Sequence, residues 1–359
     1  MRYIPIKYIT EGMILGKTLY GENGEMLLRK ETIIQTSYVN KLIDLGYSGL
    51  YINDKMSEDI TVTDIISEGL KMKAIKSIKN LMQPNRKRKD IESSIKVVES
   101  VIEDIVDEIS GNEDTIVNMM DLRVSSEYTF YHSVNVCVLS IIVGVALELN
   151  KEDLYLLATS SLLHDIGKIY TPNEILDKPC KLTGDEFEIV KQHSENGYRY
   201  VKGNLDLNTK VYMGIYQHHE RYDGTGYPLN IKGKDISIFG RIIAIADVYD
   251  ALISDRPYRK GVLPSEGIEY IMGGGGTMFD QSLVKILSSK IAPYPIGTCV
   301  NLSNYLVGIV VENYSSYGLR PSVRIIKSGD KLVVPYLINL KESNYNVTII
   351  GTGDALLYN

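Results

Sequence analysis

The chain has 359 residues, a formal net charge of -6, 44% hydrophobic and 23% charged residues, three cysteines and no tryptophan. This balance excludes global disorder, leaves room for two or three domains, and argues against holding long nucleic acid on a strongly basic surface, while small anions stay open as ligands. All five histidines, His132, His164, His193, His218 and His219, fall in one part of the chain, where histidines used as ordinary surface residues should scatter.

Residues 1–57 read as a small α+β module: short β-rich runs broken by turn signals, a helix from Thr36 to Leu45 closing at Gly46, then Gly-Leu-Tyr-Ile. The N-terminus carries no apolar signal-peptide core. Residues 58–112 form a helical linker, with Ile65, Ile66, Leu70, Ile75, Ile78 and Leu81 on one segment and Ile91, Ile95, Val98, Ile102, Ile105, Val106 and Ile109 on another. The basic run from Pro84 to Asp90 between them fits a solvated interhelix loop better than a nucleic-acid patch. These helices are equally compatible with pairing between chains, giving a homodimer, and with a hairpin inside one chain.

Residues 113–293 read as an all-α domain, with apolar helices at Val134–Leu149, Leu154–Leu163 and Arg241–Leu252 and loops marked by glycine and proline. Its longest apolar stretch, Val136–Leu147, falls short of the roughly 20 residues of a membrane span and predicts a buried helix. Gly273–Gly276 reads as a mobile loop. From Pro293-Tyr-Pro295 onward the pattern changes to short alternating runs, a small β-rich module over 294–359. Cys137, Cys180 and Cys299 are far apart and form no C-x-x-C pair, which points to a reducing compartment, no disulfides, and a soluble cytoplasmic protein with no membrane span.

The chemistry centres on Ser161-Leu-Leu-His164-Asp165-Ile-Gly-Lys168 at the end of an apolar helix. Adjacent His and Asp lie about 100° apart on a helix, so both can reach one cation at its flank, and the carboxylate has a second oxygen for another. Lys168, four residues after His164, could meet a phosphate held there. Alone, such a pair suits a cap or a salt bridge better than a metal site, and each other histidine has a structural reading of its own. Asp247 interrupts the apolar run Ile242–Val248, where an unpaired carboxylate is costly. Together, five histidines and two carboxylates from mostly apolar helices suffice for two metals.

These motifs resemble the HD-GYP domain proteins of bacteria, a branch of the HD metal-dependent phosphohydrolases. The matching residues are His132-Ser, His164-Asp165-Ile-Gly-Lys168, Gln192-His193-Ser-Glu-Asn-Gly197, His218-His219-Glu220-Arg-Tyr-Asp223-Gly224-Thr-Gly226-Tyr227-Pro228, Ile245-Ala-Asp247-Val-Tyr-Asp250 and Ser254-Asp-Arg256-Pro-Tyr-Arg259. They cover about half the chain, in order. The resemblance implies an all-α HD-type catalytic domain, flanked by the two small modules. It implies hydrolysis of cyclic di-GMP to linear pGpG, with cleavage on to GMP left open, by a binuclear metal site and bridging hydroxide.

By the same resemblance, His132, His164, Asp165 and Asp247 hold one divalent ion, and Asp165 bridges to a second held by His193, His218 and His219. Iron or manganese suit these ligands, with nickel, cobalt and zinc as further options. Lys168 stabilises charge on the phosphoryl group beside Asp165, and Arg256 and Arg259 grip the phosphates, each arginine having a salt-bridge role as its structural alternative. The Asp223-Gly224-Thr-Gly226-Tyr227-Pro228 loop reads as a tight turn, and in the family is linked to docking of GGDEF domains. Some members hold a third metal with a glutamate four residues before the first histidine. Here that position is Tyr128, with Glu127 one residue away, so two metals are expected. Gln281 stands where the family usually has proline. Another phosphate-ester hydrolase of the HD type and a non-catalytic receptor for the dinucleotide are the competing readings.

Overall fold

The structure, a computed structural model, describes residues 1–21, 25–83, 88–111, 116–118, 128–176, 178, 180–255, 260–315, 317–342 and 346–353. Near the N-terminus lie β1 (Arg2–Pro5), β2 (Ile14–Leu15), β3 (Leu19–Tyr20), β4 (Met26–Leu28), α1 (Thr36–Asp44) and β5 (Gly49–Asn53). β1, β5 and β2 pair antiparallel in that order. Helix α1 stops where expected because Gly46 takes φ +79°, which lets the Tyr47 N–H reach the Leu42 carbonyl at 2.9 Å.

The middle of the chain is helical: α2 (Glu68–Leu81), α3 (Arg88–Ser110), α4 (Tyr128–Ala146), α5 (Lys151–Leu162), α6 (Asn173–Leu176), α7 (Gly184–Lys191), α8 (His193–Asn204), α9 (Thr209–Gln217), α10 (Ile238–Ile253), α11 (Pro264–Gly273) and α12 (Gln281–Lys290). Helix α4 is long and apolar enough to cross a membrane, with a mean hydropathy of 1.7, but 72% of that window is buried inside the bundle. Every residue from His132 to Gly144 is buried, because α2, α5, α10 and α12 pack around it. Gly144 lets α5 approach closely there, since a Cβ would stand 2.7 Å from Leu154 Cδ2 and would push that side chain aside.

Helices α2 and α3, expected as a linker, contribute Ile75, Ile78, Ile102 and Ile105 to the same core as Val134, Leu157 and Ile242. Their apolar faces are therefore occupied within the chain, the hairpin alternative.

The C-terminal strands β6 (Cys299–Leu302), β7 (Leu306–Glu312), β8 (Ser322–Ser328), β9 (Lys331–Asn339) and β10 (Ile349–Thr352) form an antiparallel sheet in the order β10-β6-β7-β8-β9. Strand alternation gives it two apolar faces. Val300, Leu302, Val310, Val323 and Ile325 form a core on one. Cys299, Val307, Ile309 and Ile326 pack on Ile4, Leu15, Ile34 and Leu50 of the N-terminal segment. The two terminal modules thus share a core. The Tyr3 N–H bonds to the Gly297 carbonyl at 3.0 Å, and the Arg324 guanidinium pairs with the Asp59 carboxylate.

Ile309 is fully buried in that shared core. Ile309→Ala is expected to cost about 2–5 kcal/mol and to lower hydrogen-exchange protection of β1 and β5 together with β7. Loss confined to β7 would contradict a common core.

Candidate metal centre

The bundle brings all five histidines to one place from four different elements. His132 lies inside α4, and Asp247 and Asp250 lie on α10. His193 opens α8, while His218 and His219 follow the last residue of α9. His164 and Asp165 were expected on a helix flank, but α5 ends at Leu162, so both sit in the turn leading into a 3-10 segment over Ile166–Tyr170.

Three of the histidines use the same local device. His164 Nδ1 lies 2.7 Å from the Ser161 carbonyl, His193 Nδ1 2.6 Å from the Val190 carbonyl, and His218 Nδ1 2.6 Å from the Ile215 carbonyl. Carbonyls in a helix's last turn lack intrahelical partners and accept what is offered. A carbonyl can only accept, so in each ring Nδ1 carries the hydrogen and Nε2 keeps its lone pair.

The lone pairs of His193 and His218 face each other, and His219, whose tautomer no carbonyl fixes, stands beside them. His193 Nε2 stands 3.2 Å from His218 Nε2 and 3.0 Å from His219 Nε2, and His164 Nε2 is buried with no hydrogen-bond partner. Facing acceptors in a buried site are unfavourable unless a cation lies among them. The donor set therefore fits divalent metal. Among the described residues, three groups have ligand atoms within 4.8 Å of one another: His193, His218 and His219; His132, His164 and Asp247; and His164, Asp165 and His218.

The Asp165 carboxylate faces both histidine groups. Its Oδ2 lies 3.4 Å from His164 Nε2 and 3.8 Å from His132 Nε2, and its Oδ1 lies 3.5 Å from His193 Nε2. Burial would push its carboxyl up, but Lys168, with Nζ 2.6 Å from Oδ2, and the neighbouring histidines hold it well below the usual range. Asp247 Oδ1 is 3.0 Å from His132 Nε2. Burial alone would lower His132, yet Asp247 and Asp250 outweigh it and lift its imidazolium to about 9. Burial holds His193 at about 4, and burial with neighbouring imidazoles lowers His218 and His219.

The close approach of the turn to α8 depends on glycine. A Cβ on Gly167 would lie 1.9 Å from the His193 carbonyl oxygen and 2.5 Å from the Gly197 nitrogen. The Asp223–Pro228 loop is built directly on the metal site. The Tyr227 ring stacks on His219 with centroids 4.7 Å apart, and its N–H reaches the His219 carbonyl at 3.2 Å. The Tyr227–Pro228 peptide is cis. Gly226 admits no side chain, since a Cβ would stand 2.2 Å from the Arg221 nitrogen.

The four-glycine run, expected as a mobile loop, is instead a hydrogen-bonded turn closing α11. The Phe279 N–H reaches the Gly274 carbonyl at 3.1 Å, and the residues it presents accept from the Tyr222 and Asp223 N–H groups at 3.1 and 2.8 Å. Arg256, Arg259 and Glu127 lie outside the described residues. Tyr128 stacks on His132, its hydroxyl 3.2 Å from Nδ1.

Three polar residues around the site have no role assigned from the sequence, although Asp250 and Glu220 fall inside the matched motifs. Asp250 contacts His132, Asn135 contacts Asp250, and the buried Glu220 accepts the Leu229 N–H at 2.5 Å behind the Tyr227 loop. A second carboxylate three residues after Asp247 in an apolar helix is the available signal for Asp250.

The metal-free protein has a definite pH signature. His193, at about 4 when folded, titrates at its ordinary 6.5 when unfolded, and His218 and His219 are lowered in the same sense. The unfolded chain therefore binds more protons below about 6.5, and stability falls from there toward pH 4. His132, raised to about 9, acts oppositely, its contribution being full below 6.5 and lost as pH rises toward 9. The melting temperature of the chelated protein is expected to peak near pH 6.5 and fall more steeply on the acid side, where three residues act. A steady rise on acidification would contradict it.

A helical bundle that gathers histidines and aspartates around one carboxylate defines a metal-binding protein with paired ligand groups. Residues 97–283, just over half the chain, match the family model described as HD domain. The chain belongs to the HD domain family and, with its Gly-Tyr-Pro loop, is an HD-GYP protein. It is 36% identical over 262 residues to a cyclic di-GMP phosphodiesterase of Pseudomonas aeruginosa, covering 71% of this chain and 63% of that protein. It is 30% identical over 264 residues to a cyclic di-GMP phosphodiesterase of Thermotoga maritima, covering 70% and 67%. A 3'3'-cGAMP-specific phosphodiesterase of Vibrio cholerae is 34% identical over 212 residues, covering 59% and 43%. The chain thus spans between 43% and 67% of the lengths of these relatives. Among solved structures, an HD-GYP-type protein from Bdellovibrio bacteriovorus shares the fold, with a TM-score of 0.53 at 19% identity, covering 80% of this chain and 97% of that one.

Proposed function

We propose that this protein is a metal-dependent phosphodiesterase that hydrolyses cyclic di-GMP to linear pGpG. The observation that carries the reading is the set of potential ligand atoms gathered around Asp165, supplied by His132, His164, Asp247, His193, His218 and His219. Two divalent ions bound there would generate a nucleophile from water and neutralise the attacked phosphate. The chain's own residues prepare that chemistry. Helix-end carbonyls hold three imidazoles with Nε2 free for metal, and Lys168, a quarter exposed, keeps Asp165 ionised and offers a cation beside the phosphate position. Arg256 and Arg259 are assigned to the phosphates, and the Tyr227 loop to a GGDEF-domain partner. A cytoplasmic location belongs to this reading, supported by Cys137, Cys180 and Cys299 forming no disulfide.

The test is conversion of cyclic di-GMP by chelated protein reconstituted with Mn2+ or Fe2+, followed by chromatography of the products. No turnover with either ion would refute the reading. Two relatives named 3'3'-cGAMP-specific phosphodiesterases favour one second reading, a different cyclic dinucleotide, and a panel of both substrates separates the two.

A further inference from the structure

We propose that Asp250 is the positioning residue for His132, holding this one ring in the orientation that helix-end carbonyls impose on His164, His193 and His218. His132 does not use the shared device. It lies inside α4 rather than at a helix end, so the backbone carbonyls beneath it belong to the helical ladder. Its Nδ1 is met instead by Asp250 Oδ2 at 2.7 Å, from across the bundle. That leaves Nε2 directed at Asp247 Oδ1, 3.0 Å away, within the group shared with His164.

The arrangement is built rather than incidental. Asp250 is fully buried, which is costly for a carboxylate unless partners hold it. Asn135, one helical turn after His132 on α4, donates to its Oδ1 at 2.9 Å, and Ser254, just past the end of α10, donates to Oδ2 at 3.4 Å. Asp247 and Asp250 are three residues apart, so one face of α10 presents both a ligand for the cation and the brace for a neighbouring ligand. An anionic acceptor at Nδ1 also makes the opposite nitrogen a stronger donor than a carbonyl would. Asp250 therefore serves the His132 group and not the His193, His218 and His219 group.

The inference rests on the metal reading of the site, and one experiment separates the two. Metal-free, full-length wild type, Asp250→Ala and Asp250→Asn are titrated with Mn2+ by calorimetry, and bound metal per chain is counted by elemental analysis. Wild type is expected to take two ions. Asp250→Ala should weaken one of them about 10- to 100-fold and leave the other unchanged, with the missing ion restored by excess Mn2+. Asp250→Asn, which can still accept from Nδ1, should fall between. Unchanged affinity at both positions, or equal weakening at both, would overturn the proposal. If Asp250→Ala fails to fold, Asp250→Asn decides, and its failure to fold in saturating Mn2+ counts as overturning too. A wild type that binds no metal would instead remove the metal reading itself.

Discussion

Asp165→Ala is expected to abolish cyclic dinucleotide turnover, with a fall in kcat of at least about a thousandfold, while the far-UV circular dichroism stays that of the wild type. The size of the effect follows from the position of the carboxylate. It is the group that faces His132, His164 and His193 at once, at 3.8, 3.4 and 3.5 Å, and it also takes the Lys168 ammonium at 2.6 Å. Its removal leaves two sets of imidazoles with no shared anion and frees Lys168 to move. Metal bound per chain should therefore drop together with kcat. The fold should survive, because Asp165 lies in a turn and the apolar residues around it, Leu162, Leu163 and Ile166, keep their burial. Wild-type turnover in this variant would remove the proposed reaction from this site. A variant that loses activity but keeps two ions at wild-type affinity would remove the bridging role alone.

Gly167→Ala is expected to damage the site almost as severely without touching a ligand. The added methyl would stand 1.9 Å from the His193 carbonyl oxygen and 2.5 Å from the Gly197 nitrogen. Both are backbone atoms of α8, so no side chain can swing aside and the turn must separate from the helix. Overpacking of this kind costs about 1–3 kcal/mol. The larger consequence is geometric, since the same separation carries Asp165 away from His193, and misplacement by about 1 Å is enough to cost roughly a hundredfold in rate. The expected result is a folded protein with a melting temperature a few degrees lower, weakened metal binding and kcat down about a hundredfold. Gly184→Ala, at a position where a Cβ meets nothing within 4 Å, is the control and should behave as wild type. Equal behaviour of the two variants would show that contact between the turn and α8 does not position the site.

Much of the site is legible in the order of residues along the chain. The clustering of His132, His164, His193, His218 and His219, with Asp165 and Asp247 on apolar helices, points to paired metals because histidine and aspartate are expensive to bury without a cation or a partner. Periodicity likewise locates α4, α5 and α10, whose buried residues repeat at helical spacing or fill the whole surface. The departures are local. Helical periodicity places His164 and Asp165 on α5, but the helix ends at Leu162 and both fall in a turn, where the Ser161 carbonyl becomes available to orient the ring. Four consecutive glycines suggest mobility, yet their backbone groups are taken up by Tyr270, Met272 and Phe279.

Which residues carry the chemistry follows from residue type and burial cost, local properties that periodicity exposes along the chain. How those residues are held is a matter of tertiary contact. Asp250 braces His132 from 118 residues away, Gly167 admits α8, and Ile309 of the C-terminal sheet shares a core with Ile4 at the other end of the chain. Contacts at such separations depend on which faces of distant elements meet, and no local pattern of polarity or propensity records that pairing.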